Sequence, residues 1–259
     1  MSKKDTLIKG TFILTITGFL SRFIGFFYRI FLSRTFGEEG MGLYQLVFPV
    51  FSLGFSLSVA GIEVALSRLT AQKLSLKKDT EARQCLFTGL LISLTISIIL
   101  MLLIQKYAFE IAEYLLLDKR CQSLLIALSY IFPFCVIHSC ICGYYLGQKK
   151  TKRIAISQLI EQIVRVTSVY IICSLLLKQN KSIPVSVTVF GLVIGEIASA
   201  FYCFVTFQKS EMMFHPTCQS SICMFSRIKE LLTLSIPLTA NRVLLNVLQS
   251  IETISIPAC

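Results

Sequence analysis

The strongest constraint on this chain is a series of apolar runs, each long enough to cross a bilayer and separated by short polar connections. A spanning helix needs about 20 consecutive apolar residues. In lipid only helices and closed barrels satisfy their own backbone hydrogen bonds. The pattern predicts spans near 11–33, 43–66, 85–105, 122–147, 154–177 and 184–207, and a seventh from about 230 to 257. The fold class expected is therefore all-α integral membrane. Mean hydropathy of +0.73 and 54% hydrophobic residues agree, because that excess sits inside the runs.

The net charge of +11 would suggest a nucleic-acid partner in a soluble protein. Here it has another origin, and no nucleic acid is expected. With the N-terminus placed in the cytoplasm, fifteen Lys and Arg fall in cytoplasmic segments and six in external ones, which is the bias of cytoplasmic loops. KKTKR at 149–153 reads as the anchor of a cytoplasmic turn. The Asn180-Lys181-Ser182 sequon carries no weight. Lys3, Lys4 and Lys9 precede an apolar run that lacks a small-residue cleavage site, so this is an uncleaved first span and not a signal peptide. Of the ten cysteines, Cys135, Cys140, Cys142, Cys173 and Cys203 lie inside apolar runs, where Cys behaves as a small hydrophobe.

Four arginines remain within spans: Arg22, Arg29, Arg165 and Arg242. An arginine at mid-bilayer costs at least ~2.5–3.5 kcal/mol on insertion scales, so each needs a reason. Gly18, Arg22, Gly25 and Arg29 recur at helical spacing and form one face of glycine and guanidinium. Phe19, Phe23, Phe26, Phe27, Ile30 and Phe31 occupy the other faces. Such a helix turns its aromatic side to lipid or neighbouring helices and its cationic stripe to a polar cavity. In the fifth span Gln158, Glu161, Gln162, Arg165 and Ser168 share a face, and Glu161 and Arg165 have the i, i+4 spacing of an ion pair.

Glu63 and Glu196 are the further intramembrane acids, and both are candidate cavity residues. Glu63 is near the cytoplasmic end and within reach of loop cations. Glu196 sits among Gly191, Gly195 and Ser199, a small-residue face suited to close helix packing. Pro49, Pro133 and Pro237 fall inside spans and are expected to bend them. No metal site is expected. Cys140 and Cys142 in HSCIC point about 200° apart on a helix, and His215, Cys218 and Cys223 offer three ligands with no second CxxC. No HExxH, GxSxG or strand-linked Gly-rich motif is present, and no enzyme is expected.

KGTFILTITGFLSR at 9–22 aligns without gaps with KELLTLSIPLTANR at 229–242, with Lys, Leu, Ile and Arg coinciding. Both segments open a span after a lysine and carry an arginine at the same depth. Parallel repeats of this kind occur in transporters. The division expected is a six-helix lobe over 1–207, a cytoplasmic linker over 208–229, and the first helix of a second lobe over 230–259.

SRFIGFFYRIFLSRTFGEEGMGLYQLVFPV, AGIEVALSRLTAQ, QLIEQIVRV and KELLTLSIPLTANR resemble the stage V sporulation protein B branch of polysaccharide-lipid exporters. That branch is related to lipid II flippases and, more distantly, to multidrug and toxin extrusion antiporters. The resemblance implies two lobes around a cationic cavity that alternates between the two membrane faces. It implies export of undecaprenyl-pyrophosphate-linked cell-envelope saccharides across the plasma membrane, with membrane lipids around the helices. Arg22, Arg29, Arg165 and Arg242 would meet the pyrophosphate, with Glu161 holding Arg165. No cofactor is implied, and a coupling ion, Na+ or H+, is left open.

Members of that branch are about double this length. The chain is therefore expected to be a truncated, N-terminal half, needing a second polypeptide for the missing lobe. Two other readings stay open. One is a cation-coupled multidrug antiporter of the same architecture, and the other is a truncated membrane remnant that does not transport.

Overall fold

The computed structural model describes residues 3–179, 183–211 and 221–255, with side chains over 9–179, 183–209 and 227–249. The 180–182 sequon, the loop residues His215 and Cys218, and the side chain of Cys223 lie outside these ranges. The described backbone is almost wholly helical and contains no strand.

Five helical stretches are long and apolar enough to cross a membrane, and a bent pair, Cys121–Ser129 plus Ile131–Gly147, makes a sixth. The first stretch, Lys9–Ser75, has 67 residues. At about 1.5 Å per residue it would reach about 100 Å if straight, against ~30 Å of hydrocarbon. It is two spans, divided at Gly37, whose φ of 69° and ψ of −173° suit a residue without a Cβ. Tyr28 and Tyr44 lie within electrostatic reach of each other and in one apolar cluster, so the chain changes direction between them.

The helices are α1 (3–36), α2 (38–75), α3 (Asp79–Lys106), α4 (121–147), α5 (Thr151–Lys178), α6 (Ser186–Glu211) and α7 (Ser221–Ser255). Within α2 the residues Ser56–Ala60 form a π turn that follows Pro49. Between α3 and α4 the chain is partly helical, through Ala108–Glu110 and a π turn at Ile111–Leu115. The 42° bend in α4 has a local cause. Pro133 has no N–H for the Ser129 carbonyl and its ring crowds that oxygen, so the first helix stops at Ser129. Pro237 lies inside the helix Ser221–Ser255, which continues through it.

The chain threads back and forth between two ends. A methyl on Gly10 would come within 2.8 Å of Thr151 Oγ1, and one on Gly147 within 2.7 Å of the Ser67 carbonyl. Lys73 pairs with Glu81 and Glu230, each at 3.4 Å. The start of α1, the α2–α3 and α4–α5 connections and the start of α7 therefore share one end, which is the lysine- and arginine-rich one. At the other end Arg120 pairs with Glu39, and Gly40 sits close enough to α6 that a methyl would lie 3.2 Å from Val185 Cγ2. Arg120 also pairs with Asp118 at 2.8 Å. Hydrogen bonds from that guanidinium hold the Asp118 carboxyl below the usual carboxylate range.

Large side chains such as Leu66, Phe132, Tyr144 and Tyr145 are fully buried between helices. Phe19, Phe23, Leu91, Ile99, Tyr170 and Phe201 are exposed. An apolar exterior around an apolar core is the arrangement of a bundle surrounded by lipid, where helix association depends on close packing. The glycines of α6 illustrate it. A methyl on Gly191 would meet Val169 Cγ2 at 2.2 Å, and one on Gly195 would meet the Glu161 carbonyl at 2.9 Å, so α6 lies directly on α5.

Candidate functional site

α1 and α5 meet along a seam, and on it an open groove of about 390 Å³ is lined by Ser21, Arg22, Gly25, Phe26, Arg29 and Gln162. Helical spacing puts the two arginines on one face, and Gly25 between them leaves the groove its depth. Both arginines are exposed and have no carboxylate partner among the described residues. The aromatic and cationic faces are not fully separated, because Phe26 lines the groove with the guanidinium groups. A second hollow of about 280 Å³ continues past Arg29 to Ser33 and Arg34.

Behind the groove, Arg165 donates to Glu161 on the same helix, as the i, i+4 spacing expected. Both side chains are about 15% exposed, at 16% and 15%. The pair leaves Arg165 Nε buried without a partner among the described residues, and the hydroxyls of Ser21 and Tyr28 are in the same condition. Arg165 lies within electrostatic reach of Tyr28 and Tyr44, and Tyr44 also of Arg29. The seam is thus rich in hydrogen-bond donors, and the acid beside it, Glu161, is already engaged. Such an arrangement can hold an oxyanion.

The core holds a second polar cluster that the sequence reading did not find. His138 in α4 brings Nδ1 to 3.1 Å from Glu196 Oε2 of α6 and 3.2 Å from Ser199 Oγ. Its Nε2 is 3.2 Å from Ser157 Oγ of α5. Glu196 is therefore buried against a histidine and does not line the groove. Cys142 Sγ lies 3.6 Å from Ser157 Oγ and 4.0 Å from Cys203 Sγ. Residues 58 to 61 positions apart cannot be matched by periodicity. The only local signal was His138 and Cys142 at i, i+4 inside an apolar run.

Glu63 lies in α2, where the backbone at Glu63 approaches Gly143 so closely that a methyl there would be 2.6 Å from the Glu63 carbonyl. Its electrostatic neighbours are His138 and Arg242 of α7, rather than the loop cation expected from its position. Arg242 is exposed and is not on the groove that holds Arg22 and Arg29. The four arginines expected to meet an anion thus fall into two places: Arg22 and Arg29 on the groove with Arg165, held by Glu161, behind them, and Arg242 beside Glu63.

α7 is docked on the other helices. Ser235 and Leu231 are buried, and Asn246 Nδ2 donates to the Ser52 carbonyl at 3.2 Å and to the Ser56 hydroxyl beside the π turn.

Among the described residues, seven helical segments of alternating direction and of membrane-spanning length and hydropathy define a multi-pass membrane protein, and its fold matches part of known transporters. It superposes on a MATE protein solved with Br-NRF, with a TM-score of 0.71 and 17% identity over 94% of this chain and 57% of the other. A MOP superfamily transporter from Pyrococcus furiosus gives a TM-score of 0.71 at 13% identity, over 94% of this chain and 55% of the other. At these identities the likeness is one of fold. The chain belongs to the polysaccharide biosynthesis protein family, which it matches over residues 7–258. It is 34% identical to stage V sporulation protein B of Bacillus subtilis over 79% of this chain, and 28% identical to that organism's lipid II flippase MurJ over 81%. The chain spans about 40% of the length of each of these two relatives.

Proposed function

We propose that this chain forms the first lobe of an exporter of lipid-linked saccharide precursors, with the Arg22–Arg29 groove as its contact for the pyrophosphate. The observation that carries this reading is the groove itself: two guanidinium groups about two turns apart on α1 with no carboxylate partner among the described residues, backed by buried donors with no acceptor among those residues. A pyrophosphate offers acceptors on two linked phosphates and suits bidentate arginine. Phe26 and the exposed Phe19, Phe23 and Phe27 suit the prenyl chain of the same molecule. The name of one relative, the lipid II flippase MurJ, supports the same class of cargo.

The remaining parts of the proposal are topological. The lysine-rich end faces the cytoplasm, the membrane is the plasma membrane, residues 1–207 form the lobe, and its linker is the part of 208–229 left between α6, which ends at Glu211, and α7, which starts at Ser221. α7 opens a second lobe that completes the cavity, on this polypeptide's continuation or on another. A cationic drug is the weaker candidate cargo, since Glu161 is taken by Arg165 and Glu196 by His138.

The test is binding of undecaprenyl pyrophosphate to the chain in nanodiscs, read by native mass spectrometry. Loss of one charge-assisted bidentate contact is worth ~1.5–3 kcal/mol, or about ten- to a hundredfold. Arg22→Ala and Arg29→Ala should each weaken binding by at least tenfold without changing the far-ultraviolet circular dichroism. Undiminished binding by both variants would remove the groove from the substrate path.

A further inference from the structure

The cluster between α4, α5 and α6 has the donor set and the geometry of a metal site. The ligand atoms of His138, Cys142 and Cys203 all lie within 4.8 Å of one another, and all three residues are buried. Ser157 Oγ faces them, 3.2 Å from His138 Nε2 and 3.6 Å from Cys142 Sγ, while the two sulfurs are 4.0 Å apart. Zn–S bonds of about 2.3 Å and Zn–N or Zn–O bonds of about 2.0–2.1 Å give tetrahedral edges of about 3.3 Å for N···O, 3.6 Å for S···O and 3.8 Å for S···S. The three edges in the structure are each within a few tenths of an ångström of these.

The hydrogen bonds around the cluster leave lone pairs turned inward. Glu196 accepts from His138 Nδ1, the carboxylate–histidine arrangement that orients a ligating imidazole and leaves the Nε2 lone pair free. The Ser157 hydroxyl donates to the Ile154 carbonyl at 2.8 Å, so an oxygen lone pair faces that nitrogen. Two acceptors at 3.2 Å repel unless a proton or a cation lies between them. Two adjacent thiol sulfurs favour the cation. With both thiols ionised, a neutral imidazole and a neutral hydroxyl, a dication makes the ligand set electrically neutral, and the Glu196 carboxylate beside it is within electrostatic reach of Arg165. That removes the main cost of burying charge in a bilayer.

We propose that His138, Cys142 and Cys203 bind a borderline-soft d10 dication of the zinc class, with Ser157 Oγ in the fourth position, and that the site clamps α4, α5 and α6 together. A tetrahedral set of two sulfurs with nitrogen and oxygen selects zinc over hard cations such as Mg²⁺ or Ca²⁺. The clamp shares no ligand with the groove on the α1–α5 seam, and Glu161 behind that groove lies within 4.8 Å of His138 and Glu196.

The test uses the whole chain in nanodiscs under reducing conditions, titrated with Co(II) as an optical probe and then with Zn(II). The expected result is one equivalent bound, with a thiolate charge-transfer band and the visible bands of tetrahedral cobalt. X-ray absorption at the zinc edge should show two sulfurs at about 2.3 Å and two lighter ligands at about 2.0–2.1 Å. Cys203→Ser should lower zinc affinity by at least tenfold, while Cys173→Ser, in a separate cluster beside Val169, should leave it unchanged. If Cys203→Ser does not fold, the absorption measurement on the unaltered chain decides the matter. No uptake at one equivalent, a shell without two sulfurs, or a zinc affinity left unchanged by Cys203→Ser would each overturn the proposal and leave a proton between His138 and Ser157.

Discussion

Replacing Gly61 by alanine tests how α7 is attached to α2. The added methyl would sit 2.0 Å from Thr239 Oγ1, 2.6 Å from the Ser235 carbonyl and 2.8 Å from the Thr239 amide nitrogen. The threonine hydroxyl can rotate away, but the two backbone atoms cannot. Ordinary contact begins near 3.4 Å, so α7 must move by nearly an ångström along its contact with α2. Overpacking of this kind costs ~1–3 kcal/mol, and a carbonyl that close puts the change in the upper part of that range. Alanine also gains about 1 kcal/mol over glycine within a helix. The net expectation is a loss of about 1–2 kcal/mol.

Gly42→Ala is the matched control, because it lies in the same helix and a methyl there meets nothing within 4 Å. It should be neutral or stabilising by up to about 1 kcal/mol, the propensity gain alone. The assay is equilibrium unfolding in mixed micelles, followed by far-ultraviolet circular dichroism. A spin-label distance between α2 and α7 would show that the loss is at this contact. The reasoning is refuted if Gly61→Ala is as stable as Gly42→Ala and the distance is unchanged.

Three further outcomes follow from the same geometry. Glu161→Ala leaves a largely buried guanidinium uncompensated and should destabilise by about 3–5 kcal/mol, while adding Arg165→Ala should restore much of that, as a double-mutant cycle in unfolding would show. Asp118 has its carboxyl pKa lowered by Arg120, so its contribution is full above about pH 4, the ordinary carboxylate range, and is lost as pH falls through the lowered value. Asp118→Asn should remove that acid-side loss, read as proteolysis of the 107–120 connection against pH. Pro133→Ala restores an N–H for the Ser129 carbonyl and should reduce the 42° bend, measured as a longer spin-label distance between the two ends of α4.

What could be read from the residues alone was whatever a single helix decides for itself. Span length follows from hydropathy because a backbone in lipid must pair with itself, and all seven segments formed helices close to their expected places. The shared face of Arg22 and Arg29 and the Glu161–Arg165 ion pair needed only the rise and turn of one helix. Even the bend in α4 was local, since Pro133 acts four residues back. The lysine bias separated the two ends of the chain, and the contacts at Thr151, Glu230 and Glu39 agree with the alternating path it required.

Only tertiary structure decided which faces meet. His138 finds Glu196 58 residues away and Cys142 finds Cys203 61 residues away, and nothing in the local spacing of either pair predicts it. Glu63 turned toward His138 and Arg242 and away from the loop, and Arg242 came to lie apart from the groove of Arg22 and Arg29. The physical reason is that lipid gives no hydrophobic preference for one apolar face over another. Neighbours are then chosen by how closely backbones approach at glycines such as Gly61, Gly143 and Gly195, and by which buried polar groups find partners. Both are properties of pairs of helices, which a one-dimensional pattern does not contain.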